Sequence, residues 1–239
     1  MDGEDRPNLV FAHYFGGSER SWSPLLGAFD GDLKCIVPTL PGFGGTPPLP
    51  AEPSLDGYAE WFAALAPDRP WIAIGHSMGG KVAMAAALRR PPGLVALVLI
   101  ATSPATPEPM TDDDRGDALA SFGCRSAALA NFKRITGGSL SPELIETCVE
   151  DQLCVDRSAW RWWYERGNRN DISHATRAIT LPVLVLTGDD DKVMGPDTAP
   201  AVAAGLHNAR LETIAGGHLL PLERPDVVAA SISTFARAR

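Results

Sequence analysis

Cysteine is scarce in this chain, and its few copies follow no metal-binding or redox pattern. Four cysteines occur in 239 residues, and they form neither a CxxC pair nor a cluster with histidine at metal-ligand spacing. Neither a structural disulfide nor a zinc site is therefore expected from the set Cys35, Cys124, Cys148 and Cys154. No other residue pattern indicates a bound metal or cofactor, so we expect the chain to work without either.

Long apolar runs are also missing. No run approaches the ~20 residues that a membrane-spanning helix needs. The acidic opening residues (MDGEDR) lack the basic stretch followed by an apolar one that is typical of a secretory leader. The expected location is the cytoplasm.

Basic residues are outnumbered, with 21 Lys and Arg against 29 Asp and Glu and a formal net charge of −8. A chain of this charge is a poor partner for nucleic acids and anionic membrane surfaces. The remaining composition, 45% hydrophobic and 21% charged, is that of an ordinary globular protein. The length fits one domain, or one domain with an insertion, and leaves the oligomeric state open.

Six short apolar runs alternate with helical stretches, which indicates β-α-β units and a mainly parallel sheet. Several runs are apolar throughout, as in strands that helices cover on both faces. The predicted strands are Asn8–Ala12, Leu33–Val37, Trp71–Gly75, Val95–Ala101, Val183–Gly188 and Ala209–Ile214. Helices are predicted at Met78–Arg90, which shows no polar face before Lys81, and at Pro225–Arg239.

The stretch between the fourth and fifth predicted strands is too long for a simple connection. Residues 102–182 span about 80 positions, whereas a crossover helix needs about a dozen. The stretch carries its own helix-start signals, which are Thr111, Ser141 before a proline, Asp156 and Asp171. We therefore predict a core domain formed by residues 1–101 and 183–239, with a helical lid inserted at residues 102–182.

A glycine-rich turn joins the third predicted strand to the first predicted helix. Its sequence, GHSMGG at residues 75–80, contains the Gly-x-Ser-x-Gly pattern of a nucleophile elbow in the strand-to-helix context that the motif requires. Side chains at Gly75 or Gly79 would collide with the neighbouring strand and helix. The pattern predicts that Ser77 is a nucleophile held above the sheet at the start of a helix.

A serine nucleophile needs a base, and the base needs an acid that orients it. Three adjacent carboxylates, Asp189, Asp190 and Asp191, follow the fifth predicted strand, and His218 follows the sixth. All of them lie at the same end of the predicted sheet as the serine. Spacing alone leaves the three carboxylates as alternatives, with His13 as the rival base.

Together these features resemble the α/β-hydrolase superfamily, in its serine esterase-like form with a helical lid. The resemblance covers residues 12–22, LPGFG at 40–44, the elbow, PVLVLTGDDD at 182–191, and GGH followed by ERP. It implies a mostly parallel sheet of about six strands flanked by helices, with the leading β-hairpin absent. In this family the acid stands fourth in a Gly-x-x-Asp turn, which implies Asp191. The resemblance also makes His218 the base and gives His13 a structural role beside the oxyanion hole.

The resemblance further implies two oxyanion-hole donors, the backbone N–H groups of Phe15 and Met78. Tyr14 departs from the family pattern, which has glycine after the histidine. Either this residue alters the loop geometry, or its hydroxyl contributes to the substrate pocket.

The predicted substrate pocket is apolar. Helical spacing predicts part of its lining, and the resemblance implies the rest. The assigned residues are Tyr14, Trp160, Trp163, Met194 and Leu219, with Tyr164 as the alternative to Trp163 at helical spacing from Trp160. Packing between the lid and the core explains the tryptophans equally well. Cations of the lid are expected to face solvent, with contact to a carboxylate-bearing substrate as the alternative; they are Arg115, Arg125, Lys133, Arg134 and Arg161.

The sequence thus predicts a cofactor-independent serine hydrolase that cleaves small carboxylic esters through an acyl-enzyme. Because one fold hosts many reactions, the same triad leaves other chemistries open. These are C–C bond hydrolysis, lactone hydrolysis, perhydrolysis and an elimination like that of a menaquinone-pathway synthase. A non-catalytic binding module is the alternative of a different class. The sequence indicates neither the natural substrate nor its chain length or stereochemistry.

Overall fold

The computed structural model describes residues 6–30, 33–136 and 140–239, and within these residues six strands form one sheet. All five strand pairs are parallel, in the order β2-β1-β3-β4-β5-β6. The strands are β1 (Asn8–Ala12), β2 (Cys35–Ile36), β3 (Trp71–His76), β4 (Leu94–Ile100), β5 (Val183–Gly188) and β6 (Ala209–Ile214). This architecture confirms the predicted α/β fold with its parallel sheet of about six strands.

Helices pack on both faces of the sheet and follow one another between β4 and β5. They are α1 (Ser23–Gly27), α2 (Leu55–Ala63), α3 (Met78–Leu88), α4 (Asp112–Ala120), α5 (Arg125–Ile135), α6 (Pro142–Leu153), α7 (Arg157–Glu165), α8 (Ser173–Thr176), α9 (Thr198–Gly205), α10 (Leu220–Glu223) and α11 (Pro225–Ala236). No helix in the described part of the chain is long and apolar enough to span a membrane.

Alternation along β1 divides the core between the two sheet faces. Val10 and Ala12 pack with α2 and α3 on one face, whereas Leu9 and Phe11 pack with α1 and α11 on the other. Both sets are fully buried, which explains why the predicted strands read as unbroken apolar runs.

The predicted element ends differ from the observed ones mainly at β2. This strand keeps two of its five predicted residues, because it lies at the sheet edge and pairs only with Leu9 and Val10 of β1. The helix α3 ends at Leu88, two residues before its predicted end. Lys81, predicted to begin its polar face, is instead fully buried.

Five helices, α4 to α8, occupy the 102–182 segment between β4 and β5. Three of the predicted helix starts are capped by the residue expected, since Thr111, Ser141 and Asp156 each accept a backbone N–H of the first turn. One predicted solvent-facing cation, Arg115, is buried, because its guanidinium donates to Asn168 Oδ1 at 3.2 Å.

The buried Lys81 of α3 links both ends of this segment to the core. Its Nζ donates to the carbonyl of Thr106 at 3.0 Å and to the carbonyl of Asn170 at 2.8 Å. Burial lowers the pKa of Lys81 to about 8. The two ends of the segment are therefore held by one side chain of the helix that follows Ser77.

Candidate active site

Ser77 lies in a strained turn between β3 and α3. Its φ of 53° and ψ of −120° are outside the regions that a non-glycine residue ordinarily adopts, at a cost of about 1–3 kcal/mol. A Cβ at Gly75 would lie 2.3 Å from the Gly79 carbonyl oxygen, and one at Gly79 would lie 2.1 Å from that of Ala12. Both glycines are therefore required by close backbone approach, and the turn presents the serine at the start of α3.

The structure brings Ser77, His218 and Asp191 into one hydrogen-bonded chain. Ser77 Oγ lies 3.0 Å from His218 Nε2, and His218 Nδ1 lies 2.8 Å from Asp191 Oδ2. The other carboxylate oxygen, Asp191 Oδ1, accepts the N–H groups of Val193 at 2.8 Å and Met194 at 3.0 Å. All three side chains are buried, so solvent does not compete for these bonds. The arrangement can pass a proton from the serine to the histidine.

Of the three adjacent carboxylates, Asp191 is the one that contacts His218. Asp190 is exposed and forms an ion pair with Lys192, and Asp189 accepts the N–H of Gly216 at 3.0 Å. Burial acts to raise the pKa of Asp191, but the charge and hydrogen bond of His218 and the two backbone N–H groups outweigh it, and the pKa is lowered. The carboxylate therefore stays ionised and fixes the orientation of the imidazole.

Two backbone N–H groups beside Ser77 are free to bind an anion. Neither Phe15 nor Met78 donates its N–H to any residue within the described ranges. They are the two donors that the sequence analysis assigned to the oxyanion hole.

His13 organises the loop that carries one of these donors. Its Nε2 accepts the N–H of Leu40 at 3.0 Å, so its Nδ1–H donates to the Tyr14 carbonyl at 2.8 Å. Burial lowers the pKa of His13 to about 4, which keeps the ring neutral. These contacts give the residue a structural position, away from the Ser77 hydroxyl.

Tyr14 fits this loop without the glycine that the family pattern has at its position. Its φ is not positive, so a side chain there causes no backbone strain. The ring packs between His76 and Phe132, at centroid distances of 5.2 and 6.3 Å. The departure at position 14 therefore leaves the loop geometry intact and adds a packing contact with α5.

Two contacts that position His218 were not anticipated from the sequence. His76 donates from Nε2 to the His218 carbonyl at 2.8 Å. Glu223 accepts the N–H groups of Gly217 at 3.0 Å and Leu219 at 2.8 Å, and so holds the loop on both sides of the imidazole. The ERP motif contained the glutamate, but only the fold shows which backbone groups it reaches.

The buried His76 predicts a measurable acid sensitivity. Burial lowers its pKa to about 3, so the folded state keeps the ring neutral while the unfolded state binds a proton near pH 6.5. The contribution of His76 to the free energy of unfolding is thus fully present above pH 6.5 and is lost as the pH falls towards 3. When the free energy of unfolding is measured in urea at pH 7 and at pH 5, we expect it to fall by about 2 kcal/mol more in wild type than in His76→Gln. The glutamine amide can still donate to the His218 carbonyl, and equal losses in the two proteins would contradict the prediction.

A cavity of about 560 Å³ lies between α4, α7 and the loop after Asp191. Trp160 and Met194 line it, as predicted for the pocket, and Tyr164 lines it beside them. The structure places the other three predicted pocket residues in hydrophobic packing. Trp163 stacks on Phe15, whereas Tyr14 and Leu219 belong to a buried cluster with α5 and α6.

The inner wall of this cavity adjoins the Ser77 site. The rings of Trp160 and Tyr164 contact Phe15 at centroid distances of 5.2 and 5.0 Å, and the Met194 N–H bonds Asp191. Ser77 itself is not among the residues that line the cavity, and 7% of its surface is exposed. A volume of this size accommodates a small organic substrate.

Metal-ligand geometry is not found in the part of the chain that the structure describes. No group of three or more His, Cys, Asp or Glu side chains there is placed to hold a metal ion. The described cysteines are unpaired, with Cys148 buried and Cys124 and Cys154 exposed.

Comparison with known proteins places these features in a family. The family model described as "Alpha/beta hydrolase family" matches residues 9–231. The chain is 41% identical over 102 residues to a pimeloyl-[acyl-carrier protein] methyl ester esterase of Aromatoleum aromaticum, a match that covers 42% of this chain and 39% of that protein. It is 36% identical over 100 residues to a 2-succinyl-6-hydroxy-2,4-cyclohexadiene-1-carboxylate synthase of Salmonella typhimurium, covering 39% of this chain and 37% of that one.

The fold likeness extends over nearly the whole chain. A solved hydrolase from Oleispira antarctica superposes with a TM-score of 0.86 at 22% identity, covering 99% of this chain and 93% of that one. At this identity the superposition shows a common fold, whereas the sequence matches span about two fifths of the curated relatives. The family model, by contrast, spans most of the chain. The protein is therefore a member of the alpha/beta hydrolase family.

Proposed function

We propose that the protein is a cofactor-independent serine hydrolase that cleaves small carboxylic esters through an acyl-enzyme. Ser77 is the nucleophile, His218 the general base and acid, and Asp191 the residue that orients the imidazole and stabilises its charged form. The proposal is carried by the hydrogen-bonded chain from Ser77 Oγ through His218 to Asp191.

In the first half-reaction, Ser77 Oγ attacks the ester carbonyl carbon while its proton moves to His218 Nε2. The carbonyl oxygen becomes negative and is proposed to accept the N–H groups of Phe15 and Met78, which donate to no other group within the described residues. The carbon–oxygen bond to the alcohol then breaks, and the alcohol leaves with the proton held by the imidazolium. An acyl group remains on the serine.

Water completes the cycle by the same steps. His218 Nε2 takes a proton from the water molecule as its oxygen attacks the acyl carbon, and returns the proton to Ser77 Oγ as the acid leaves. Asp191 keeps its negative charge throughout, because its lowered pKa disfavours protonation. Every role is filled by a side chain or a backbone amide of the chain.

The 102–182 segment is proposed to act as a lid whose underside forms the substrate pocket. Its residues Trp160 and Tyr164 form the wall between the cavity and Phe15. An aromatic wall and a volume of about 560 Å³ favour an uncharged reacting group of moderate size over a long acyl chain.

A second candidate keeps the same side chains and changes the reaction. The match to a carboxylate synthase, over 39% of this chain, favours an elimination in which His218 and Ser77 act on a non-ester substrate. The match to an esterase is of similar extent and somewhat higher identity. Reactivity of the serine and turnover of esters must therefore be measured separately.

Labelling with a fluorophosphonate probe, combined with p-nitrophenyl esters of increasing acyl length, tests the proposal. We expect the wild type to be labelled and to hydrolyse short and medium esters, and Ser77→Ala to show neither property. A labelled protein that is inert on every ester would replace the proposal with the elimination. Absence of labelling in the folded protein would instead indicate a binding module.

A further inference from the structure

A carboxyl group outside the proposed triad lies in the inner wall of the cavity. Glu108 follows β4, and its backbone is held by hydrogen bonds to the Asn168 carbonyl at 2.8 Å and from the Met110 N–H at 2.7 Å. The Ser103 hydroxyl donates to its Oε1, and the Ser103 N–H donates to the Ser77 carbonyl at 3.1 Å. Glu108 is thus linked to the backbone of Ser77 through one intervening residue, Ser103.

The second oxygen of this carboxyl group is available to a ligand. Among the described residues, no hydrogen bond other than that of Ser103 reaches the Glu108 carboxyl. Lys81 interacts with it electrostatically, but the ammonium donates to two backbone carbonyls instead. Burial raises the pKa of Glu108, and the Ser103 hydrogen bond and nearby positive charges, Lys81 first among them, offset this only in part.

Other charged side chains that line the cavity lie at its exposed outer rim. Each cation there already has a partner, since Lys192 pairs with Asp190 and Arg134 donates to Asn131. The rim also carries the exposed carboxylates Asp114 and Asp117. Arg115, buried beneath, is engaged by Asn168 and Met110. Glu108 is therefore the least exposed carboxyl group among the residues that line the cavity.

Aromatic rings complete the surroundings of Glu108. Trp160 and Tyr164 line the same cavity, with ring centroids 5.3 Å apart. Burial and the charge of Glu108 raise the pKa of the Tyr164 hydroxyl, and both side chains line the cavity. Aromatic faces beside a carboxylate attract organic cations, most strongly where water is excluded. A substrate carboxylate would meet a like charge there.

We propose that Glu108 determines specificity, so that the cavity selects esters that carry an ammonium group and rejects those that carry a carboxylate. The inference rests on the proposed ester hydrolysis and adds a substrate class to it. It also argues against the alternative that the cations of the 102–182 segment receive a carboxylate-bearing substrate, because Arg134, the one of the five that lines the cavity, is exposed.

Two matched ester series test this inference, one with the charge on the alcohol side and one with it on the acyl side. The first compares butyrylthiocholine with its neutral isostere, the 3,3-dimethylbutyl thioester, and with the 3-mercaptopropionate thioester. The second compares p-nitrophenyl 6-(trimethylammonio)hexanoate with p-nitrophenyl 7,7-dimethyloctanoate and with mono-p-nitrophenyl suberate. In at least one series we expect wild-type kcat/KM to favour the cation over the neutral isostere by about tenfold, with the anion slowest.

Glu108→Gln keeps the shape and the acceptor for Ser103 but removes the charge. We expect it to abolish the preference for the cation while the neutral ester is still hydrolysed. Asp113→Asn removes the same charge from an exposed position of α4 outside the cavity wall, and should leave the preference intact.

Hydrolysis of the neutral esters without a preference for the cation in either series would overturn the inference and leave the proposed function standing. An unchanged preference in Glu108→Gln would overturn it too. If wild type hydrolyses none of the esters in either series, the proposed function fails, and the substrate class fails with it.

Discussion

Ser77→Ala is expected to lower kcat for p-nitrophenyl butyrate by about 10⁴- to 10⁶-fold while the chain remains folded. The nucleophilic oxygen is lost, and the hydrogen bond to His218 Nε2 at 3.0 Å is lost with it. Alanine has the same backbone preferences as serine, so the strained turn is neither relieved nor worsened. Steady-state kinetics and thermal unfolding by circular dichroism measure the two effects.

A rate within tenfold of wild type would show that another group attacks the ester. A large drop in the melting temperature would instead assign Ser77 a structural role. The rate that remains in Ser77→Ala is informative as well, because the variant keeps the N–H groups of Phe15 and Met78 that are proposed to stabilise the oxyanion.

Asp191→Asn is the second substitution with a large expected effect, a loss of about 10⁴-fold in kcat. Asparagine has a single acceptor oxygen, which the Val193 and Met194 N–H groups hold, so its NH₂ group faces His218 Nδ1 and donates to it. His218 then carries its proton on Nε2 and cannot take the serine proton. Substrate binding should change little, because the side chain is buried behind the imidazole.

The neighbouring carboxylate supplies a matched control. Asp190→Asn removes the same charge one residue away, from an exposed side chain that pairs with Lys192. We expect its kcat to stay within about twofold of wild type. Equal losses in the two variants would mean that the acidic turn acts through its overall charge, and would contradict the role proposed for Asp191.

The sheet was predictable because its strands carry an unmistakable local signal. β1, β5 and β6 have the predicted bounds. β1 and β5 are largely buried apolar runs, whereas β6 (ARLETI) mixes polar and apolar residues at the edge of the sheet. β2 was overestimated because strand length at an edge depends on its partner, and only two residues of β1 lie opposite.

The residues of the hydrogen-bonded chain were predictable because the fold fixes their order. A serine in the elbow and polar residues after the last two strands must meet at one end of a parallel sheet. Spacing could not choose among three adjacent aspartates; the family resemblance implied Asp191, the one that contacts His218.

The cavity lining was harder to predict, since it depends on how the 102–182 segment packs. Helical spacing placed Trp160 and Trp163 together, yet one lines the cavity and the other stacks on Phe15. Glu108 gave no sequence signal, because it stands between two prolines in a stretch that reads as a loop. The specificity role proposed for Glu108 depends on its interactions with Ser103 and with Tyr164, and Tyr164 is distant in the sequence.

The attachment of the 102–182 segment through Lys81 limits how substrate can enter. Both ends of the segment are fixed at Thr106 and Asn170 by the same ammonium, which is itself sealed inside the core. If the segment acts as the proposed lid, an opening that admits substrate should leave these two points in place and displace only the helices between them. We then expect amide hydrogen exchange to be slow around the two anchor points and faster in α4 and α5, as in a flap with a stationary base.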